Sequence, residues 1–456
     1  MKKTLNTLSK EANFLSLAGN ITIAFFGFVG FALIARSYSL EILGQWVLYI
    51  SASAFVEMFR FGITNTAIVR FLSGVDHDER IKFIGSNVLI GLVSTSILAF
   101  GIWLCHIYFP IPIKNAGYEL FFTWYPLNAF INLPFNNALV ILQADQKFKK
   151  MFFIKAFESG IFFLVVMANH YYLHLAIVNL VIYQLIINGF SSLICMIKGW
   201  DGIFYIKNAT KRTNKILLDF GKYTTFTLIG SNLLRSADTL IISLSPLGTA
   251  AVALYSIPLK LTEIQQIPLR SFIATAFPKM SKASVRGKIE EVKDLFYTYS
   301  GVMTILFFFI SIFTFTFADF LVLLLGGSKF QGIHPIIGAD PVTIMRVFSI
   351  YGLLLPLDRM TGVCLDSINR PNKNLGKVST MVVANVIGDI IAVFVFKSLV
   401  LVAVGSILFT ILGVWIGWYF LDKELHLNPN KLISAGIVFY KEMYRKIRSR
   451  KMLFRL

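Results

Sequence analysis

Long apolar runs dominate the chain, and short polar stretches separate them. Crossing about 30 Å of hydrocarbon at about 1.5 Å per residue takes roughly twenty residues in a helix. About twelve runs have that reach, at 14–35, 43–69, 83–109, 118–142, 151–169, 173–197, 217–243, 250–276, 295–325, 342–365, 376–396 and 398–421. Backbone groups in lipid must be satisfied within their own segment, so runs of this length without strand alternation predict helices rather than barrel strands. The first run follows the basic stretch MKKTLNTLSKEANF but is long and closed by no small-residue cleavage pattern, which predicts an uncleaved first span.

The polar stretches orient the bundle, because Lys and Arg are retained on the cytoplasmic side. One set of alternate loops carries Lys2, Lys3 and Lys10, then Arg80 and Lys82, then Lys147, Lys149 and Lys150, then Lys198, Lys207, Lys211, Arg212 and Lys215. The same side continues with Lys279, Lys282, Arg286, Lys288 and Lys293, then Arg370, Lys373 and Lys377, and a basic tail. The opposite loops hold only Arg36, Lys114, Lys329 and Lys397. Both termini are therefore expected in the cytoplasm. The tail mixes Ile433, Ile437, Val438, Phe439, Tyr440 and Met443 with Lys and Arg, which predicts a basic amphipathic helix at the inner leaflet.

Composition agrees with lipid as the solvent: of 456 residues 56% are hydrophobic and 15% charged, with a mean hydropathy of +0.70. The net charge of +19 would suit nucleic acid if it were gathered in one groove, but it is spread over short loops and is mostly topological. Cys105, Cys195 and Cys364 lie in apolar segments without ligand spacing, so neither disulfides nor a metal site is expected. The six histidines form no HExxH, and there is no phosphate-binding Gly-rich loop or nucleophile elbow. No catalytic residue and no cofactor are predicted, and the chain does not read as an enzyme.

The halves repeat weakly. Glu41-Ile-Leu-Gly-Gln-Trp46 compares with Ala250-Ala-Val-Ala-Leu-Tyr255, and Val69-Arg-Phe-Leu-Ser73 with Phe277-Pro-Lys-Met-Ser281 in similar register. Six spans per half, an even number, predict parallel repeats with a substrate path between them. The expected fold is thus an all-α polytopic membrane protein of about twelve transmembrane helices in two parallel-repeat lobes. Residues 1–197 form the first lobe, 198–216 a basic cytoplasmic linker, 217–421 the second lobe and 422–456 the tail.

Charges inside the spans are the informative set, since each costs about 2.5 kcal/mol or more in lipid. Glu57 and Arg60, Lys155 and Glu158, Arg235 and Asp238, and Lys260 and Glu263 each stand three residues apart, on one helix face. Two readings stand: the pairs neutralise one another and merely make the spans tolerable, or they line a water-filled cavity. Lys155, Lys222 and Arg346, near segment ends, suit neutralisation or snorkelling. Counting from the turns places Lys260, Glu263, Glu57, Arg60, Asp358 and Arg359 in the middle or inner half of the bilayer, and Arg235 and Asp238 in the outer half. Arg270 shares the segment of Lys260. A cationic cavity favours phosphate or pyrophosphate, with Arg60, Arg235, Lys260, Arg270 and Arg359 as candidate substrate ligands. Glu57, Asp238, Glu263 and Asp358 are their charge partners or carriers of a coupling ion. A cation exporter would need acids without matching bases, and the first span has no acid at all.

One stretch, 217–284, sets two of these charged segments around a Ser245-Pro246-Leu247-Gly248 turn. Within it LLDFGKY, LLRSADTLII, ALYSIPLKL and AFPKMSKAS follow in the order and spacing of the polysaccharide-transport flippases, a branch of the multidrug/oligosaccharidyl-lipid/polysaccharide exporter superfamily. LGQWVLYISASAFVEMFRFGITNTAIVRFLSG at 43–74 resembles that family's second helix, and DSINRPNKNLGKV at 366–378 the loop near its tenth. The resemblance implies the two-lobed fold of multidrug and toxin extruders. It also implies a flippase that carries a polyprenyl-diphosphate-linked oligosaccharide, an O-antigen or capsule repeat unit, across the bacterial inner membrane by alternating access. Membrane lipids and the polysaccharide polymerase machinery are the implied partners. The alternatives are a cation-coupled small-molecule exporter, a lipid II flippase of the same superfamily or, from another class, a membrane glycosyltransferase or polymerase. The last usually carries a sizeable external loop, and here the longest outer loop, 326–341, is short.

Overall fold

A computed structural model describes residues 22–62, 64–72, 75–334, 338 and 340–453. It divides into two compact units, one of residues 1–232 and 248–253, the other of 233–247 and 254–456. The division falls inside two long helices.

In the first unit, α1 (Thr22–Ser37) and α2 (Leu40–Phe61) are joined at Ser39, whose side chain caps the amide of Ile42. The run predicted at 43–69 is broken at Gly62, and a short α3 (Asn65–Phe71) follows. Asp76 caps α4 (His77–Tyr108), with its side chain accepting from the Glu79 amide at 3.0 Å. After α5 (Pro110–Asn115), the run at 118–142 forms two helices, α6 (Glu119–Ile131) and α7 (Leu133–Ala144). Pro134 lies in the first turn of α7, where the missing amide is harmless. α8 (Phe148–Ala168) ends in a π turn over 169–173, and α9 (Ile177–Ile197) packs against it. Tyr38 ties the end of α1 to this π turn: its hydroxyl donates to the Leu175 carbonyl and accepts from Asn169, both at 2.8 Å. A side-chain ladder knits the unit inside: Asn87 donates to Asn137 at 3.1 Å, and Asn188 to Asn128 at 2.9 Å. At the polar end Arg80 and Lys147 hold Asp145, and Arg212 pairs with Glu79. Gly44 lies against the backbone of Thr249, where any side chain would collide with the carbonyl.

The long helices α10 (Lys211–Ser243) and α11 (Gly248–Val285) cross the division and meet at the turn expected around Pro246. Gly248, at φ +74, takes the left-handed backbone that starts α11. In the second unit follow α12 (Ile289–Thr316), α13 (Ala318–Gly326), α14 (Pro341–Ser367), α15 (Pro371–Ile390, continued by a π turn over 391–395), α16 (Leu399–Leu425) and α17 (Asn430–Leu453). α14 packs on α12 and α16, and α15 on α16. Their core joins Phe296, Met360, Leu365 and Leu421, all fully buried.

The architecture is all-α and polytopic. Among the described residues, however, eight helices rather than twelve are long and apolar enough to span a membrane: α2, α4, α8, α9, α12, α14, α15 and α16. Two of the differences have physical causes: α6 and α7 divide one run between them, and α11 has the length but carries Lys260, Glu263 and Arg270 along it. α10 likewise includes Arg235 and Asp238. The tail helix α17 packs lengthwise on α12: Leu432 is buried in the α12 core and the Tyr440 hydroxyl donates to the Val302 carbonyl at 3.1 Å.

Candidate functional site

Within the first unit the charges converge on Arg60, in the last turn of α2. Its side chain is 0% exposed. One Nη pairs with the Glu57 carboxylate, Nε donates to Thr95 Oγ1 of α4 at 3.0 Å, and the other Nη donates to the Ala129 carbonyl of α6 at 2.5 Å. Phe61 lies under the guanidinium at 4.6 Å, and the Tyr125 hydroxyl donates to Glu57 at 3.1 Å. All three guanidinium nitrogens are engaged and the side chain is enclosed, so in this conformation its bonds run to the protein. It fastens α2 to α4 and α6 and holds Glu57, whose side chain stays 26% exposed. Lys155 and Glu158 on α8 make no ion pair among the described residues, although their spacing allows one.

In the second unit, Asp238 of α10 is nearly enclosed. Its carboxylate accepts from the Tyr255 hydroxyl at 2.5 Å, the Asn385 amide at 3.2 Å and the Ser406 hydroxyl at 3.5 Å. The same Asn385 amide donates to Asp389 at 3.1 Å, and Asp389 is 0% exposed. Two carboxyl groups thus share one amide donor, with neutral neighbours and, among the described residues, no base paired to either. Two full negative charges this close in an apolar interior require a compensating proton or small cation. Arg235, the expected partner of Asp238, lies on α10 with its side chain outside the described residues.

A third cluster joins α14 and α15. Lys377 Nζ, 2% exposed, lies 2.7 Å from Asp358 Oδ1 and donates to the Asp358 carbonyl at 2.6 Å and to Thr361 Oγ1 at 3.0 Å. Arg359 stands 3.8 Å from the same carboxylate but keeps 39% of its side chain exposed. The glycine face of α16 makes room for this pair, since a Cβ on Gly417 would meet Thr361 Oγ1 at 2.5 Å and one on Gly413 would meet Asp358 Oδ1 at 2.9 Å. On α11, Lys260 and Glu263 pair at 2.9 Å with exposures of 36% and 23%, and Arg270 is exposed.

The three-residue spacing thus identifies two pairs correctly, Glu57 with Arg60 and Lys260 with Glu263. Asp389, Asn385, Tyr255 and Lys377 were missed. Asp389 carried a usable signal: an acid inside an apolar run, with Asn385 one turn before it on the same face. Lys377 was assigned to the cytoplasmic loop charges, but it is buried on the face of α15 that meets Asp358. Among the described residues no cluster of three or more His, Cys, Asp or Glu forms a metal site.

Residues 10–284 match the sequence model of a family described as "Polysaccharide biosynthesis protein". Among solved structures, an inward-facing multidrug resistance MATE family transporter of the MOP superfamily superposes with a TM-score of 0.73 at 15% identity, covering 90% of this chain and 98% of that one. The lipid II flippase MurJ, in an inward closed conformation, gives 0.69 at 13% identity, covering 96% and 100%. A MOP superfamily transporter from Pyrococcus furiosus gives 0.59 at 15% identity, covering 91% and 93%. No match was found among curated proteins. At these identities the structures speak to fold alone, and the family rests on the sequence match over more than half of the chain. The chain therefore belongs to the polysaccharide biosynthesis protein family and has the fold of the MOP superfamily transporters.

Proposed function

We propose that the protein is a flippase that moves a lipid-linked saccharide, with a polyprenyl-diphosphate-linked oligosaccharide as the substrate that suits family and chemistry together. The observation that carries this reading is how the second unit treats its cations. Lys377 is sealed into an ion pair, while Lys260 and Arg359 keep more than a third of their side chains exposed. Lys260, Arg270 and Arg359 are the proposed anchors for the diphosphate, with Arg235 added from its place in the sequence. Arg60 holds the frame. An inside-negative potential assists outward movement of an anion by about 2.3 kcal/mol per charge per 100 mV if the charge crosses the whole field.

A second reading, a cation-coupled exporter of small molecules or a lipid II flippase, draws support from the Asp238, Asn385 and Asp389 cluster. Acids without matching bases are what coupling to a proton or sodium needs, and the cluster supplies them although the first span does not. It is compatible with the flippase reading as well, because the coupling ion and the cargo need not share a site.

The deciding experiment is reconstitution in liposomes with a fluorescent polyprenyl-diphosphate oligosaccharide. Its head group should reach the opposite leaflet in the intact protein, and Lys260→Ala or Arg359→Ala should abolish that transfer at unchanged expression. Transfer of a lipophilic cation with no transfer of the oligosaccharide would favour the exporter.

A further inference from the structure

We propose that the crevice between α12 and α17 binds an anionic phospholipid of the surrounding membrane. The two helices approach backbone to backbone at Gly301 and Gly436, where a Cβ on Gly436 would lie 2.6 Å from the Gly301 carbonyl carbon. Tyr440 fastens the crossing through its bond to the Val302 carbonyl. Beside it, between the two helices, lies a cleft of about 620 Å³. Ile305, Leu306 and Phe309 of α12 and Ile437 of α17 form its apolar wall, with Lys441 and Arg445 beside them. These two cations stand one helical turn apart, so their heads emerge on one face. Both are exposed and, among the described residues, neither is paired with a carboxylate.

The charge and shape of the cleft select its occupant. An apolar slot a few side chains long suits an acyl chain, which a soluble anion lacks. Two adjacent cations suit a phosphate, which zwitterionic lipids offer only beside a cation of their own. A peptide would meet few hydrogen-bonding groups along Ile305, Leu306 and Phe309. Basic residues at a membrane attract anionic lipid by about 1 kcal/mol each, and the stems of Lys441 and Arg445 have the length to snorkel toward a headgroup. The bound lipid would bridge α12 and α17 and clamp the tail helix, making its docking depend on lipid composition. This site is separate from the proposed cargo ligands Lys260 and Arg359, so it does not depend on the identity of the substrate.

The test uses the purified full chain in nanodiscs of phosphatidylcholine alone or mixed with phosphatidylglycerol, reading the thermal midpoint and, by native mass spectrometry, the retained lipid. Phosphatidylglycerol should be retained and should raise the midpoint. Lys441→Gln with Arg445→Gln should weaken retention roughly tenfold or more without lowering the midpoint in phosphatidylcholine. Should the double variant fold poorly, Ile305→Trp fills the cleft with both charges intact and should also weaken retention. Equal stabilisation by the two lipids, undiminished retention in both variants, or retention of polyprenyl phosphate in place of phosphatidylglycerol would overturn the proposal.

Discussion

Arg60 is enclosed, charged and triply bonded, and its partners determine what its removal does. Arg60→Ala leaves Glu57 with only the Tyr125 hydroxyl and frees the Ala129 carbonyl and Thr95 hydroxyl inside the bundle. Breaking a buried pair on one side destabilises by about 3–5 kcal/mol. The expected outcome is a lower thermal midpoint in detergent and less folded protein, with Arg60→Ala combined with Glu57→Gln recovering part of the loss. This separates Arg60 from Lys260, where alanine should remove transport and spare the fold. At the polar end Asp145 behaves differently. Burial pushes its carboxyl up, but hydrogen bonds from Lys147 at 2.6 Å and Arg80 at 2.5 Å outweigh that and hold it below its usual range. A carboxylate depressed in the folded state binds fewer protons there than in the unfolded chain. Its contribution is therefore full above the unfolded value and lost as pH falls through the folded one. Asp145→Asn should flatten the acid limb of the stability curve, by no more than about 1 kcal/mol for so accessible a pair, as read by unfolding from neutral pH downward.

Among elements, the contact of α12 with α17 depends on two glycines. A valine at Gly436 would place its Cβ against the Gly301 carbonyl and within 2.8 Å of Ile305 Cδ1, and the backbone on one side cannot yield cheaply. Gly436→Val should therefore lift α17 from α12. With Leu432→Cys as a reporter, maleimide should label the lifted helix quickly and the parent slowly, because Leu432 is 6% exposed in the packed state. The π turns at the ends of α8 and α15 are a second feature of this scale. In the sequence reading each is the fifth span of its half, so the same irregularity recurs where the weak repeat would place it.

For the whole molecule, the consequential feature is a pair of acids that cannot both be charged without help. Asp238 and Asp389 share Asn385 and have neutral neighbours in Tyr255 and Ser406. A transporter that exchanges the compensating cation between the two sides of the membrane gains the energy of that gradient. Asp389→Asn removes one charge while keeping the hydrogen-bonding shape. Transport in liposomes should then lose its response to an imposed proton or sodium gradient, and the thermal midpoint should hold or rise. An undiminished response would assign the pair a purely structural role.

The all-α polytopic character, the eight long apolar helices, the turn at Pro246 and the family itself were legible in the sequence, because hydropathy and motif order are local along the chain. The pairs Glu57 with Arg60 and Lys260 with Glu263 were legible for the same reason, as each lies within one helix face. Tertiary structure alone decided which charges are sealed and which are available. Arg60 is closed off by Thr95 and Ala129 from other helices, Lys377 reaches Asp358 across two helices, and Asp389 meets Asp238 from far along the chain. A charge in lipid must find a partner or water, and the sequence states the need but not the neighbour, since neighbours are set by which helix faces pack together.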